Sequence, residues 1–271
     1  MIRLVSQRGR VGKGAPPWAR RRALDRHDGT LPGLQARTLR ALACAALLCA
    51  GCAAGPGEAA RQIGPVCAYP ASGRAEVPGV VCLDKGILDY LAVAPESGKE
   101  YESLLVLECR PSELHAALLT LGARPGSIDP AFKADRRGDP LDANGRLLED
   151  KRPRGDRVQI AVRRAEDADW TPVEAWITER GAQQPPERLE WVFTGSFFAT
   201  AGDGVERYLA DVYNTVAAVW YDGIAPLNLA SAAGSPYRGD ALGYEIRTER
   251  VPPVGTKVGV AFRLVKRPGG N

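Results

Sequence analysis

Near the end of the chain Val258, Val260, Phe262 and Leu264 alternate with Lys257, Gly259, Ala261 and Arg263. Successive side chains on a strand point to opposite faces, so a run of this kind has one face in a core and one in water. The same two-residue beat recurs at Val158, Ile160 and Val162 and at Tyr244, Ile246 and Thr248, while Val173 to Thr178 and Leu189 to Phe198 are rich in Trp, Val, Ile and Phe. Val80 to Leu83 and Ile87 to Val93, separated by Asp84-Lys85-Gly86, predict a hairpin. Tyr101 to Glu108 predicts a further strand, and Tyr208 to Asp211 with Val216 to Tyr221 predict a pair around Asn214-Thr215. Helical spacing is confined to Pro111 to Leu121, where Leu114, Ala117, Leu118 and Leu121 share a face, Ser112 and Glu113 suit the N-terminal end and Gly122 suits the stop. From Arg124 to Asp156 apolar periodicity gives way to Asp, Arg, Gly and Pro, which predicts a long exposed excursion. The expected fold is α+β: a strand-rich single domain over 66–271, mainly antiparallel, with one well-defined helix near 112–121.

A second feature decides where such a domain works. Arg37 and Arg40 precede an apolar run from Ala41 to Gly51, followed by Cys52 and the small, Gly- and Pro-containing stretch 53–65. Eleven helical residues rise only about 16 Å and do not cross a hydrocarbon core of about 30 Å. The run is therefore expected to be a signal peptide over 37–51. Ala50-Gly51-Cys52 resembles the lipobox of bacterial lipoproteins, with Leu48 one place further from the cysteine than the usual leucine. That resemblance implies lipidation at Cys52, a tether over 52–65 and attachment to a membrane, with the outer membrane favoured because Ala53 is not an aspartate. Residues 1–36 are expected to be a basic extension without structure, or the product of a mis-set start codon.

Removing the leader also reverses the sign of the charge. Residues 1–51 hold ten Lys and Arg against two Asp and Glu, so a chain of net charge +4 becomes −4 over 52–271. A polyanion is bound through clustered positive charge, so nucleic acid is not an expected partner. The folded part keeps Cys67, Cys82 and Cys109. Outside the cytoplasm Cys67 and Cys82, closest in sequence, are the candidate disulfide, and three buried reduced thiols are the alternative.

Three stretches together carry a family resemblance: Gly98-Lys99-Glu100-Tyr101-Glu102-Ser103-Leu104-Leu105; Pro111 to Leu119 with Leu121-Gly122-Ala123; and Trp191-Val192-Phe193-Thr194-Gly195-Ser196 with Tyr208-Leu209-Ala210-Asp211. In order and spacing they resemble the YdjY-like domain of bacterial exported proteins, most strongly over 66–230. Where that family usually has His-Glu-Ser this chain has Tyr101-Glu102-Ser103. The resemblance implies an exported domain of uncharacterised activity. Some members carry a ferredoxin-like label, but three cysteines without a CxxC spacing do not supply the four ligands of an iron–sulfur cluster, so no cofactor is expected.

The chemical candidates are Glu102, Ser103 and His115, a carboxylate, a hydroxyl and an imidazole that titrates near neutrality. Candidate binding residues are Tyr101, Thr194 and Ser196. No metal site is expected, since a zinc centre usually draws on more than one histidine and His115 is the only one beyond the leader. The function these residues predict is that of an exported, lipid-anchored envelope protein binding an envelope protein or a small ligand. The alternatives are a small hydrolase or transferase using His115 with Glu102 or Ser103, and a thiol redox partner.

Overall fold

The computed structural model describes residues 58–126, 152–182, 186–200, 203–220, 222–233 and 243–265. The expectations for the extension, the signal peptide, Cys52, the start of the tether and most of the Arg124 to Asp156 excursion lie outside the described residues.

The alternating runs form the strands they predict. β7 (Arg157–Arg164) buries Val158, Ile160 and Val162, and β16 (Lys257–Leu264) buries Val258, Val260 and Phe262. The two lie antiparallel over seven rungs, from Val258 opposite Arg164 to Leu264 opposite Val158. On its other edge β16 pairs with β3 (Arg74–Val81), again antiparallel, from Lys257 opposite Val80 to Arg263 opposite Arg74. The sheet continues from β7 through β10 (Trp191–Phe193), β14 (Leu227–Ala233), β13 (Thr215–Trp220) and β5 (Tyr90–Val93) to β6 (Ser103–Leu107). β6 then pairs with β3, with Gly79 opposite Leu107 and Val81 opposite Leu105.

That last pairing closes the sheet into an eight-strand barrel, which corrects the α+β expectation. Strand accounts for 43% of the described residues and helix for 13%, so the helices decorate a barrel rather than form a layer of their own. The ring is mixed: β5–β6 and β13–β14 are parallel, the other pairs antiparallel. Alternation specifies which face of a strand is buried, but an open sheet and a closed one present the same pattern, and closure decides the architecture. Two local expectations also fail. The run Ile87 to Val93 does not form a hairpin with Val80 to Leu83: both edges of β3 are taken by β16, β6 and the short β2 (Val66–Tyr69). β4 (Ile87–Leu88) pairs instead with β15 (Tyr244–Ile246), while β5 joins β13 and β6. Tyr208 to Asp211 does not pair with Val216 to Tyr221: Tyr208 ends a short strand opposite Phe198, and α2 (Leu209–Tyr213) follows and ends at Asn214, whose left-handed backbone (φ 51°) turns the chain into β13.

The one long helix among the described residues is α1 (Pro111–Thr120). Pro111 occupies the first turn, where its missing N–H costs nothing, and Glu113 accepts a hydrogen bond from the N–H of the N-cap residue Arg110 at 2.8 Å. Leu114, Ala117 and Leu118 join the core with Trp191, Phe193 and Phe262. Gly122, at φ 85°, stops the helix. No helix among the described residues is long and apolar enough to cross a membrane.

Candidate functional site

The second and third family-like stretches meet in one lock. α1 and α2 run against each other so that Ser112 meets Asp211 and His115 meets Tyr208, a spacing of three residues on each side. The Asp211 carboxylate accepts hydrogen bonds from the Ser112 N–H at 2.8 Å, the Ser112 hydroxyl at 2.7 Å and the Arg110 guanidinium at 2.7 Å. It thus places a negative charge on the positive end of α1, where orphan N–H groups need acceptors. His115 Nδ1 lies 2.8 Å from the Tyr208 hydroxyl, which donates to the Gly195 carbonyl at 3.0 Å. A hydroxyl has one proton to give, so Nδ1 carries the proton of its own bond. The ring stacks edge-on against Phe193 at 4.8 Å between centroids. Burial lowers the His115 pKa, opposed by the Gly195 backbone, which favours the neutral imidazole. Burial, with Asp211 adding to it, pushes the Tyr208 hydroxyl up.

Gly195 and Ser196 both have left-handed backbone, at φ 89° and 54°. A side chain at 195 would strike Pro125 at 2.5 Å, so glycine is required there. Ser196 Oγ is buried beside Tyr208 without an aligned hydrogen bond. Thr194 is a tie rather than an open binding group: its hydroxyl lies 3.1 Å from the carbonyls of Ala225 and Pro226 and accepts from Asn228 Nδ2 at 2.9 Å.

The first family-like stretch builds a second constellation. Asp89 donates its N–H to the Glu102 carbonyl and accepts from the Val219 N–H, both at 3.0 Å, which brings β6 and β13 to one corner. There the carboxyls of Asp89, Glu102 and Asp222 gather, each buried. Tyr90 donates to Asp222 at 3.1 Å, and the Asp222 N–H is held by Asn228 Oδ1 at 2.8 Å. Lys99 puts its ammonium 5.0 Å from the Tyr90 ring centroid and 5.6 Å from that of Tyr213. Burial is the main cause that raises all three carboxyl pKa values. Asp89 has Glu102 and Asp222 adding to it and is pushed up to about 7. Its Oδ1 is buried without a hydrogen-bond partner. Burial lowers Lys99, against the pull of Asp222 and Glu102.

The two constellations share a hydrogen-bond chain. It runs from Tyr90 through Asp222, Asn228 and Thr194 to the carbonyl of Pro226, which also accepts from the Gly195 N–H, and from Gly195 to Tyr208 and His115. The proposed chemical group is nonetheless divided between them. Glu102 belongs to the acidic corner; Ser103 donates to the Lys99 carbonyl at 2.7 Å; His115 bonds neither. Tyr101 is 71% exposed and hydrogen-bonds to Glu102. The expected Cys67–Cys82 disulfide is not formed, and the thiols are reduced: Cys67 donates to Gln62 Oε1 and Cys82 to the Ser103 carbonyl, each at 3.0 Å. Each sits on a strand or strand end claimed by other partners, so the closeness in sequence does not carry over. Burial pushes Cys82 and Cys109 up to about 12, the direction opposite to that of a reactive thiol. Among the described residues no group of three or more His, Cys, Asp or Glu is placed to hold a metal ion.

Asp89, Tyr90 and Asp222 escape a reading of sequence alone, and Lys99 stands in the first family-like stretch without a role assigned to it. One signal was present: Asp89 interrupts the apolar run Ile87 to Val93, and an ionisable residue inside such a run is either paired or functional.

A closed mixed barrel locked by one helix, with a buried acidic corner, is the class this geometry defines. The family model of the YdjY domain matches residues 80–263, and the chain belongs to that family. No curated protein and no solved structure matches it.

Proposed function

We propose that this protein is exported, is acylated at Cys52 and held by that anchor at a membrane of the cell envelope, the outer one where there are two, and acts there as a binding module. The observation that supports binding over catalysis is the division of the polar signature residues. Ser103, Ser112, His115, Thr194, Tyr208 and Asp211 each hold two segments of backbone together, and a general base has to reach the proton it removes. A second acyl chain, added during lipoprotein processing, makes such an anchor stable.

Mass spectrometry of the protein from its native host tests the anchor. The expected result is a mature chain beginning at a diacylglyceryl Cys52 in the membrane fraction. An intact residue 1–51 segment in the soluble cell interior overturns it.

One observation favours a second reading, an enzyme working from the acidic corner. Asp89, brought to about 7 by burial and two neighbouring carboxyls, holds and releases a proton at neutral pH. Chromogenic esters, phosphoesters and glycosides, offered to wild type and to Asp89→Asn, decide between the readings. Turnover by the wild type that Asp89→Asn abolishes supports the enzyme; its absence across all three substrate types supports the module.

A further inference from the structure

On the far side of the ring from the acidic corner, the outer faces of β3, β16 and β7 form one continuous surface. β16 turns Val258, Val260 and Phe262 inward, so Gly259, Ala261 and Arg263 lie on the outer face, where neighbouring side chains cover most of Ala261 and leave Arg263 exposed. The register sets Ala261 between Glu76 and Ala161, and Arg263 between Arg74 and Gln159. The result is a floor of small residues with guanidinium groups at its rim. Trp170 overhangs it: a side chain at Gly259 would lie 3.3 Å from the indole ring. Arg163 stacks on that indole at 4.4 Å from the centroid. Arg74, Gln159, Ala161, Trp170, Ala261 and Arg263 enclose an open groove of about 210 Å³.

The charge of this groove is positive. Arg74 Nε lies 2.8 Å from Glu76 Oε1, an ion pair that is not aligned as a hydrogen bond, and Arg163 adds a second positive neighbour to the same carboxyl. Arg263 is exposed and has no ion pair among the described residues. Arg74 and Arg163 thus face the buried carboxyl of Glu76, which has Glu58 as an acidic neighbour, and the planar fork of Arg263 is available to an oxyanion.

We propose that this groove binds an acidic saccharide residue, a sugar ring that carries a carboxylate. The forks of Arg263 and Arg74 take the carboxylate, Gln159 takes a ring hydroxyl, and the apolar ring face rests on the methyl groups of Ala161 and Ala261 beside Trp170. A bare anion needs only the arginines. The flat floor and the indole suit a ring, and a volume of about 210 Å³, below the roughly 300 Å³ at which drug-sized sites begin, suits a single one. The groove and the acidic corner are on opposite walls, so the two sites stand or fall separately.

Isothermal titration of the full chain with glucuronate, glucose and inorganic phosphate tests the assignment. Glucuronate is expected to bind at least tenfold more tightly than either control. Arg263→Gln is expected to weaken it at least tenfold with no change in melting temperature, and Asp89→Asn to leave it unaltered. Glucose or phosphate binding as well as glucuronate overturns the proposal, as does an Arg263→Gln protein with wild-type affinity. Should Arg263→Gln fail to fold, Gln159→Ala is read in the same way, with a weakening of at least threefold expected and unchanged affinity overturning it.

Discussion

On the wall of the barrel centred on β13, the carboxyls of Asp89, Glu102 and Asp222 gather and two of them, Glu102 and Asp222, act on Lys99; on the wall centred on β16, four strand steps away in either direction, Arg74 and Arg163 act on the carboxyl of Glu76. The local charge is opposite, yet the carboxyl pKa moves upward on both walls. Glu76 rises in spite of Arg74 and Arg163, because burial outweighs them. Asp89 rises further because its neighbours push the same way as burial. For these buried carboxyls, withdrawal from water sets the direction of the shift and nearby charge adds to it or opposes it.

The largest expected effect breaks the basic wall. Arg74→Met leaves Glu76 buried without its close cation, at a cost of about 3–5 kcal/mol in urea unfolding at pH 8. The loss should shrink when unfolding is followed at pH 5, because the raised pKa brings Glu76 nearer its neutral form as pH falls, and the added change Glu76→Gln should restore most of it. An equal loss at both pH values refutes the claim that the carboxylate is what matters.

The next effect has the opposite sign. The folded pKa of Asp89, about 7, stands above its unfolded value near 3.8, so the folded state holds the proton more tightly. The stability this contributes is present below pH 4 and is lost as pH rises through 7. Asp89→Asn should therefore stabilise the protein at pH 8 by about 2–3 kcal/mol, after a discount from roughly 1.4 kcal/mol per pKa unit for coupling to its neighbours, and by almost nothing at pH 4. A destabilised Asp89→Asn protein at pH 8 would count against the raised pKa.

The smallest effect lies between the walls. Asp211→Ala removes three hydrogen bonds at the start of α1 and should cost about 1–2 kcal/mol, as the loss of a helix cap does. It should leave the pH response of both walls as it was; hydrogen exchange should speed up in the first turn of α1 and not in β16.

How much of this was legible in the sequence depended on how local the cause was. α1 was legible because the spacing of Leu114, Ala117 and Leu118, Glu113 near its start and the glycine at its end all act within a few turns, although the N-cap is Arg110 and not Ser112. β7 and β16 were legible because their alternation is nearly unbroken. β14 was not, since Asn228 is buried between Leu227 and Leu229 and removes the beat. Tyr208 to Asp211 looked extended because its helix is short and its reason to exist, the meeting with Ser112 and His115, lies about a hundred residues away. The acidic corner was half legible: Glu102 and Lys99 stood in a recognisable stretch, while Asp222 joins them only once β5, β6 and β13 are neighbours. Ring closure was beyond sequence reading altogether, because nothing within β3 distinguishes an edge that stays open from one that β6 covers.

The pairing of β3 with β16 joins a strand that starts at Arg74 to one that ends at Leu264. During synthesis or passage through a pore, β3 emerges early and must wait for nearly two hundred further residues before its long partner arrives. Until then β3 and β7 each expose a raw hydrogen-bonding edge, the kind of surface on which chains aggregate. The last hairpin-sized piece delivered is thus the keystone, and a chaperone that shields those two edges would act for as long as the final strand is missing.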